Sequence, residues 1–204
     1  MWLAWAKRLQ AIASTGMHYT RGQYDKERYA EIAAIANGML AALANVPVSR
    51  IHNLVPDFAT GYSTPLVDVR GAVFEGDKIL LVREISDGLW TLPGGFADVG
   101  KSPGENVVKE VWEEATIRVT PAALYGVRHK AKHEYDPDTR DFYKLFFLCE
   151  RLDDCPPQPG AETAAVGFFG RDEIPPLSSG RILAKDLAAA FEFKANPHEL
   201  SLFD

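Results

Sequence analysis

The spacing of apolar residues divides the chain into a helical N-terminal part and a longer part rich in predicted strands. Apolar residues recur at steps of three and four from the first residues onward, which predicts an amphipathic helix. Its stripe consists of Trp2, Trp5, Leu9 and Ile12. A second helix is predicted to begin with Asp25 as its N-cap. Its apolar stripe consists of Tyr29, Ile32, Ala36, Met39, Leu40 and Leu43.

Two amphipathic helices cannot bury both of their apolar stripes against each other alone. They are expected to dock on the main domain, on a second copy of the chain, or on both. We favour a role in forming a homodimer, and the alternative is a helical cap on the same monomer. Gly38 lies inside the second helix, where glycine costs about 1 kcal/mol relative to alanine. It therefore predicts a close approach by another backbone.

A segment with three prolines and a glycine, residues 45–65, reads as a linker and places a domain boundary near residue 62. The expected units are an N-terminal helical extension, 1–62, and a main domain, 63–204. In the main domain, residues 66–85 look like two strands around a turn at Gly76-Asp77. Further strands are predicted within 89–93, 124–130, 143–152 and 165–170, and a closing helix over 181–193. This order predicts an α+β fold, a mixed α/β/α sandwich with a two-helix N-terminal extension.

Composition narrows the function classes. The net charge of −6 argues against broad binding to nucleic acid. No run of eighteen apolar residues indicates a membrane span, and the N-terminus lacks the features of a signal peptide, so a cytoplasmic location is expected. Cys149 lies in an apolar run and is predicted to be a buried thiol. Cys155 lies in a proline-rich loop, and a disulfide between the two is not expected in a reducing compartment.

The central helix carries the candidate chemistry. Ser102, Pro103 and Glu105 form a good helix start, with Ser102 as the cap and Glu105 completing a capping box. The helix is predicted to run to about Ala115. One side, expected to pack on the sheet, consists of Val107, Val108, Val111 and Trp112. The other side consists of Glu110, Glu113 and Glu114.

Three clustered glutamates have two interpretations. The plainer one is a solvated helix face, because glutamate is a good helix former. Against it, like charges repel each other, and anions are disfavoured near the C-terminal end of a helix. The helix also follows a loop with Gly94 and Gly95, which permit unusual backbone conformations. Glycine backbone and carboxylates together form an oxygen-rich corner that suits Mg²⁺ or Mn²⁺.

The stretch from Gly95 to Ile117 resembles the signature of the Nudix hydrolases: Gly, five residues, Glu, seven residues, Arg-Glu, an apolar residue, any residue, Glu-Glu, any residue, Gly and an apolar residue. Glu110, Glu113 and Glu114 fall in register with it. The segments WTLPGGFADVGKSPGENVVKEVWEEA, YKLFFLCE and TAAVGFFGRDEIPPLS, together with the helical N-terminus, resemble a narrower group within that family. Proteins of that group carry an N-terminal helical domain and hydrolyse nucleoside diphosphates linked to another moiety.

This sequence departs from the signature at three positions. Lys101 stands in place of the first glutamate, which removes a carboxylate and adds a cation. Lys109 replaces arginine, keeping the charge but losing the planar fork that can hold a glutamate bidentately. Thr116 replaces the glycine that often ends such a helix in a left-handed conformation, so the turn is expected to be built differently.

The resemblance implies metal-dependent hydrolysis of a diphosphate bond, with Mg²⁺ or Mn²⁺ as cofactor. The expected substrates are conjugates such as ADP-ribose, a CDP-choline-like compound or a nucleotide sugar. Glu110 and Glu114 are the expected principal metal ligands, supported by Glu113 and the Gly94 carbonyl. The general base is open among Glu113, Glu110 and Glu162, and Glu162 is equally an ordinary exposed loop acid.

Substrate contacts are expected from several basic residues and the glycine loop, with ordinary surface charge as the alternative for each basic residue. They are Arg83, Gly95, Lys101, Arg128 and Lys130. Trp90 and Phe96 could stack on a base or belong to the core. His129 and His133 are not expected to bind zinc, because no further ligands accompany them. Two other functions stay open: a Nudix-like sensor that binds a nucleotide without turnover, and a hydrolase acting on RNA ends.

Overall fold

The computed structural model describes residues 1–45, 62–196 and 201–204. The chain splits into two compact units: Met1–Pro65 with Asp138–Asp141, and Leu66–Pro137 with Phe142–Asp204. Most of the predicted linker, residues 46–61, lies outside the described part, so the boundary near residue 62 stays a prediction. Within the described ranges, no helix has the length and apolarity needed to cross a membrane.

The described part of the first unit contains two helices, α1 (Trp2–Tyr19) and α2 (Gln23–Ala44). The buried residues include Ala6 of α1 and Ala36, Leu40 and Ala41 of α2, so α1 packs through residues outside its predicted stripe. The α1 stripe faces outward, and its four members are between 37% and 62% exposed. The predicted stripe of α2 is divided, because Ala36 and Leu40 are buried while Leu43 is exposed.

Two details predicted for α2 are wrong. The helix begins two residues before Asp25, with Gly22 as the N-cap and Asp25 in the first turn. Gly38 is not a point of close approach, since a Cβ there would meet no described atom within 4 Å. The close approach occurs at Gly16 of α1, where an added Cβ would lie 2.3 Å from the ring of Tyr29.

The second unit is built on a mixed sheet. Its strands are β1 (Leu66–Glu75), β2 (Lys78–Glu84), β3 (Trp90–Thr91), β4 (Val119–His129), β5 (Phe142–Arg151), β6 (Thr163–Gly170) and β7 (Leu202–Phe203). The strand order is β3-β2-β1-β5-β4-β7, with β6 also paired to β2. β1 and β2 form the predicted hairpin, and Gly76 in its turn has a φ of +54°. β1 and β5 pair in parallel, with Asp68 opposite Lys144.

Two helices complete this unit, α3 (Pro103–Ala115) and α4 (Ala184–Ala195). One buried cluster combines Val107 and Val111 of α3 with Val69 and Val73 of β1. The other combines Leu187 and Phe193 of α4 with Ala72, Ile79 and Phe146 from the sheet. Alternate residues of a strand point to opposite faces, so each face of the sheet receives its own helix. The predicted mixed α/β/α sandwich with an N-terminal helical pair is confirmed.

Some side chains differ from prediction. Trp112 is 46% exposed rather than packed on the sheet, and the Arg118 guanidinium lies 5.9 Å from the centroid of its ring. The closing helix begins at Ala184, three residues after the predicted start, because the Asp186 carboxylate caps it by accepting the Leu183 N–H. Cys149 is buried as predicted, and burial raises the pKa of its thiol to about 12. Both cysteines are free.

Candidate active site

The glycine loop runs beside β1 and is held to it by backbone hydrogen bonds. Val69 N donates to Gly95 O at 2.8 Å, and Gly71 N donates to Pro93 O at 2.9 Å. Gly94 has a φ of +149°, and a Cβ there would lie 2.0 Å from Val69 O. Only glycine fits this position, since both its conformation and its distance from the strand exclude a side chain.

Glu114 is the most deeply buried of the three candidate glutamates. Its Oε2 accepts the Gly94 N–H at 2.9 Å, which joins α3 to the glycine loop. Burial raises the pKa of Glu114 to about 8, and the charges of Glu84 and Glu110 act in the same direction. Arg70 and the Gly94 N–H favour the carboxylate but do not outweigh burial. Glu114 is therefore a buried acid whose negative charge is poorly compensated.

Glu110 and Glu113 are bridged by one lysine. The Lys109 ammonium lies 3.3 Å from Glu110 Oε1 and 2.8 Å from Glu113 Oε2. These contacts, the hydrogen bond to Glu113 foremost, raise the pKa of Lys109. Glu113 is about half exposed, whereas burial raises the pKa of Glu110. A Cβ at Gly95 would lie 2.9 Å from Glu110 Oε2, so the glycine leaves room for this carboxylate.

The donor set fits a hard divalent cation. Carboxylate oxygens and nearby backbone carbonyls are the ligands that Mg²⁺ and Mn²⁺ prefer. In addition, the Lys109 ammonium already places a positive charge between two of the carboxylates. Among the described residues, no group of three or more histidine, cysteine, aspartate or glutamate side chains is arranged as a finished metal site. A cation bound by Glu110 or Glu113 would compete with the Lys109 ammonium for these carboxylates.

Lys101 does not project freely toward the glutamates. Its ammonium pairs with Asp98 at 3.0 Å, and Lys109 also lies 3.4 Å from the same carboxylate. Buried Asn106 fixes this loop, accepting the Asp98 N–H at 2.8 Å and donating to Ser102 O at 3.1 Å. The capping box of α3 is present in both directions, as predicted.

The other predicted substrate contacts lie in different surroundings. Arg83 is an exposed residue of β2, and Arg128 forms an ion pair with buried Asp186 at 3.0 Å. Lys130 is buried, with its ammonium 5.0 Å from the centroid of the Phe142 ring. Of the two aromatic candidates, Trp90 packs in the core against Phe169, whereas Phe96 is 43% exposed beside Phe142.

A further acid, Glu84, lies close enough to Glu114 to act on it through its charge, and the sequence analysis did not identify it. Glu84 is buried at the end of β2 and pairs with Arg181 at 3.2 Å. Burial raises its pKa, with help from the charges of Asp87 and Glu162. Glu162 itself has an exposed side chain close enough to act on Glu84 through its charge. The signal in the sequence was a glutamate ending an apolar strand.

A second missed group is a trio of buried charges, Asp68, Arg70 and Lys144. Arg70 holds Asp68 with two hydrogen bonds, at 2.9 and 2.8 Å, and Lys144 donates to the same carboxylate at 2.9 Å. Burial would raise the pKa of Asp68, but the two cations outweigh it and lower the pKa to about 2. The signal was two charges at alternate positions of an otherwise apolar strand. His133, in contrast, contacts Asp204 and Lys185.

The turn after α3 differs from the expectation for Thr116. Thr116 has φ 57° and ψ 34°, the left-handed conformation of a glycine at this point, so the expected different turn is wrong. Its N–H donates to Trp112 O at 2.9 Å, and its hydroxyl donates to Gln158 O at 3.2 Å. The second bond offsets the cost that a β-branched residue incurs in this conformation.

Comparison with known proteins found two matching family models. A family model described as the NUDIX domain matches residues 64–191. A second, described as a UDP-X-like, N-terminal oligomerisation domain, matches residues 1–55. The Bacillus subtilis (strain 168) protein named "Putative ADP-ribose pyrophosphatase YjhB" is 40% identical over 203 residues, which cover 100% of this chain and 97% of that protein.

Two solved structures are similar to this chain. The crystal structure of a UDP-X diphosphatase is 30% identical, with a TM-score of 0.64, and the match covers 100% of this chain and 98% of the other. That of an ADP-ribose pyrophosphatase from Streptococcus suis 89-1591 is 44% identical, with a TM-score of 0.63, over 69% of this chain and 100% of the other. The chain therefore belongs to the Nudix family and is a hydrolase of its pyrophosphatase type, with a UDP-X-like N-terminal domain.

Proposed function

We propose that this protein hydrolyses the diphosphate bond of nucleoside diphosphates linked to another moiety, releasing a nucleoside monophosphate and a phosphorylated product. The observation that carries the proposal is the pair of carboxylates beside the glycine loop, buried Glu114 and partly buried Glu110, because burial raises the pKa of both. ADP-ribose is the first substrate to test, since relatives over the whole chain and over the catalytic part bear that activity in their names. UDP-linked conjugates come next, followed by CDP-choline and nucleotide sugars.

Each residue of the corner has a proposed role. Glu110 and Glu114 hold Mg²⁺ or Mn²⁺, and Glu113 and the Gly94 carbonyl support them. The bound cation would neutralise diphosphate charge and lower the pKa of an attacking water. Gly94 fixes the orientation of Glu114 through its N–H. Glu162, Glu113 and Glu110 are the candidates to accept the proton of the water.

Substrate binding is proposed at the rim of the same corner. Lys101 and Gly95 lie on the loop before α3, and Arg83 is exposed on β2, where it can meet a phosphate. Phe96 is the better placed of the two aromatics to stack on a base, since Trp90 is engaged in the core. Arg128 and Lys130 can contribute only after leaving the Asp186 and Phe142 contacts described above.

The test is a panel assay. The protein is incubated with Mg²⁺ or Mn²⁺ and with ADP-ribose, UDP conjugates, CDP-choline or nucleotide sugars, and the products are identified by mass. We expect a nucleoside monophosphate from at least one conjugate and none when EDTA removes the metal. Hydrolysis that is unaffected by EDTA would contradict the metal-dependent mechanism.

One observation favours a second candidate, a sensor that binds a nucleotide without turnover. Lys109 holds Glu110 and Glu113, which opposes the assembly of a metal site. Calorimetry showing Mg²⁺-dependent binding of a conjugate, with no product after hours, would select this function. Activity on RNA ends is disfavoured by the net charge of −6.

The proposal includes a homodimer formed through α1. Its outer stripe exposes two tryptophans that contact each other edge to face at 5.0 Å. A contiguous apolar surface of this kind is typical of an association site, and the matching family model is described as an oligomerisation domain. Trp5→Ser is expected to shift sedimentation from dimer toward monomer, whereas Arg8→Ser on the same helix is not. Dimers of unchanged affinity in Trp5→Ser would contradict this interface.

A cytoplasmic location is also proposed, consistent with two free cysteines.

A further inference from the structure

The C-terminal end of α3 is capped by a distant segment, residues 158–163, which we call the strap. The last carbonyls of a helix have no partner within the helix and must find donors elsewhere. Ala115 O accepts the Gln158 N–H at 3.0 Å. Glu114 O accepts the Gly160 N–H at 3.2 Å and the Thr163 hydroxyl at 2.9 Å. The strap therefore supplies donors to both of the last residues of the helix.

Thr163 is the centre of this arrangement. Its side chain is buried, and its hydroxyl accepts the Gly160 N–H at 2.8 Å while donating to Glu114 O. The strap also lies very close to the helix, since a Cβ at Gly160 would be 1.6 Å from Glu113 O. Because that neighbour is a backbone atom, no side chain at position 160 could be accommodated by a small shift.

Glu114 is thus fixed at both ends. Its carboxylate accepts the Gly94 N–H, and its backbone carbonyl accepts the Thr163 hydroxyl. The donors of the strap also offset the partial negative charge at a helix end that carries two glutamates. The same strap contains Glu162, whose carbonyl accepts the Ile85 N–H at 3.1 Å, next to Glu84. The strap therefore carries Glu162 itself and is hydrogen-bonded both to Glu114 of α3 and to Ile85, the residue after Glu84.

We propose that Thr163 is a positioning residue for the metal-binding carboxylate of Glu114, acting through the backbone of α3. The inference rests on the proposed function, because it concerns how well Glu114 is placed to hold the cation. Carboxylate ligands must be held within a fraction of an ångström for efficient reaction, so a looser helix end lowers turnover rather than substrate binding.

The decisive pair of variants is Thr163→Val, which removes the hydroxyl at nearly constant shape, and Thr163→Ser, which keeps it. Thr163→Val is expected to lower kcat about 5- to 10-fold with KM within about 2-fold, and to weaken Mn²⁺ binding about 3-fold or more without substrate. Thr163→Ser is expected to keep kcat and Mn²⁺ affinity close to those of wild type. Thr120→Val, on β4, is the matched control and is expected to change neither. Mn²⁺ binding is followed by electron paramagnetic resonance, and thermal unfolding identifies variants that are only less stable.

Every outcome bears on the proposal. Unchanged kcat and Mn²⁺ affinity in Thr163→Val would overturn it. So would equal losses in the valine and serine variants, which would indicate packing alone, or a rise in KM at constant kcat. A wild-type protein that binds Mn²⁺ but hydrolyses no conjugate would refute the proposed function, while Mn²⁺ affinity would still decide the role of Thr163. A wild-type protein that binds no Mn²⁺ would overturn both.

Discussion

Two of the groups of buried charge in the described part of the second unit differ in how their charges are compensated. In the trio of Asp68, Arg70 and Lys144, one anion meets two cations at hydrogen-bond distance, and the pKa of Asp68 falls to about 2. At the end of α3, Glu114 is buried beside Glu110 and its pKa rises to about 8. Asp68 and Glu114 are both buried, but two cations outweigh burial at Asp68, whereas Arg70 and the Gly94 N–H do not outweigh it at Glu114.

The difference separates a structural group from a functional one. A buried ion pair with complete hydrogen bonds holds strands together and needs nothing from outside the protein. A buried acid whose nearby cations do not outweigh its burial keeps a cost in the folded state that a bound divalent cation can reduce. Removing one acid from each group should therefore have opposite consequences for stability and activity.

The largest expected effect comes from Asp68→Asn. This change leaves Arg70 and Lys144 buried without their counter-charge, which should lower the free energy of unfolding by about 3–5 kcal/mol. Urea unfolding followed by circular dichroism measures it. Asp77→Asn, in the exposed β1–β2 turn, is the control and should stay within about 0.5 kcal/mol of wild type. A loss below about 1 kcal/mol for Asp68→Asn would show that the trio does not stabilise the sheet.

The next effect concerns Glu114→Gln. The amide keeps an acceptor for the Gly94 N–H but cannot supply the charge that holds a divalent cation. We expect kcat to fall about 10²-fold or more, from lost metal-assisted charge stabilisation. The metal-free variant should be at least as stable as wild type, because a poorly compensated buried acid has been neutralised.

Two measurements check the Glu114 prediction, steady-state kinetics with Mn²⁺ and thermal unfolding in EDTA. Glu192→Gln on α4, where the side chain is exposed, is the matched control. Full activity in Glu114→Gln would remove this residue from the mechanism. A large loss of thermal stability of Glu114→Gln in EDTA would instead show that Glu114 stabilises the fold, as Asp68 is expected to do, and would contradict the distinction between the two groups.

Signals that act within a few residues could be interpreted from the sequence. The capping box of Ser102 and Glu105, the β1–β2 turn and the clustering of three glutamates on α3 all depend on neighbours along the chain. The same local reasoning, with the family resemblance, pointed to the glycine loop and to the sandwich fold.

Features that depend on distant partners could not be predicted. Asp68 meets Lys144 only because β1 and β5 pair in parallel with these two residues in register. The left-handed Thr116 is supported by Gln158, and Glu114 by Thr163, from a loop that no local pattern connects to the helix. The outward α1 stripe was predicted as a pattern, but which face α2 covers depends on small residues that carry little signal.

The smallest expected effect is a pH dependence of the trio. Burial, with repulsion from Arg70, lowers the pKa of Lys144 from 10.5 to about 8, although Asp68 opposes this shift. Between pH 8 and pH 10.5 the folded state binds fewer protons at Lys144 than the unfolded state does. The contribution of Lys144 to the free energy of unfolding therefore rises with pH in this range, and the gain is lost as pH falls back to 8. Lys144→Met lacks the titrating ammonium and serves as the reference variant.

Relative to Lys144→Met, the free energy of unfolding of wild type should rise by on the order of 1–2 kcal/mol between pH 7.5 and pH 10, measured by urea unfolding. Taking the difference between wild type and Lys144→Met cancels the contributions of the other residues that titrate in this range, including Cys149. A wild type that instead loses stability relative to Lys144→Met would mean that the trio retains all its charges above pH 8, and that its pairing is stronger than the burial of a net positive charge.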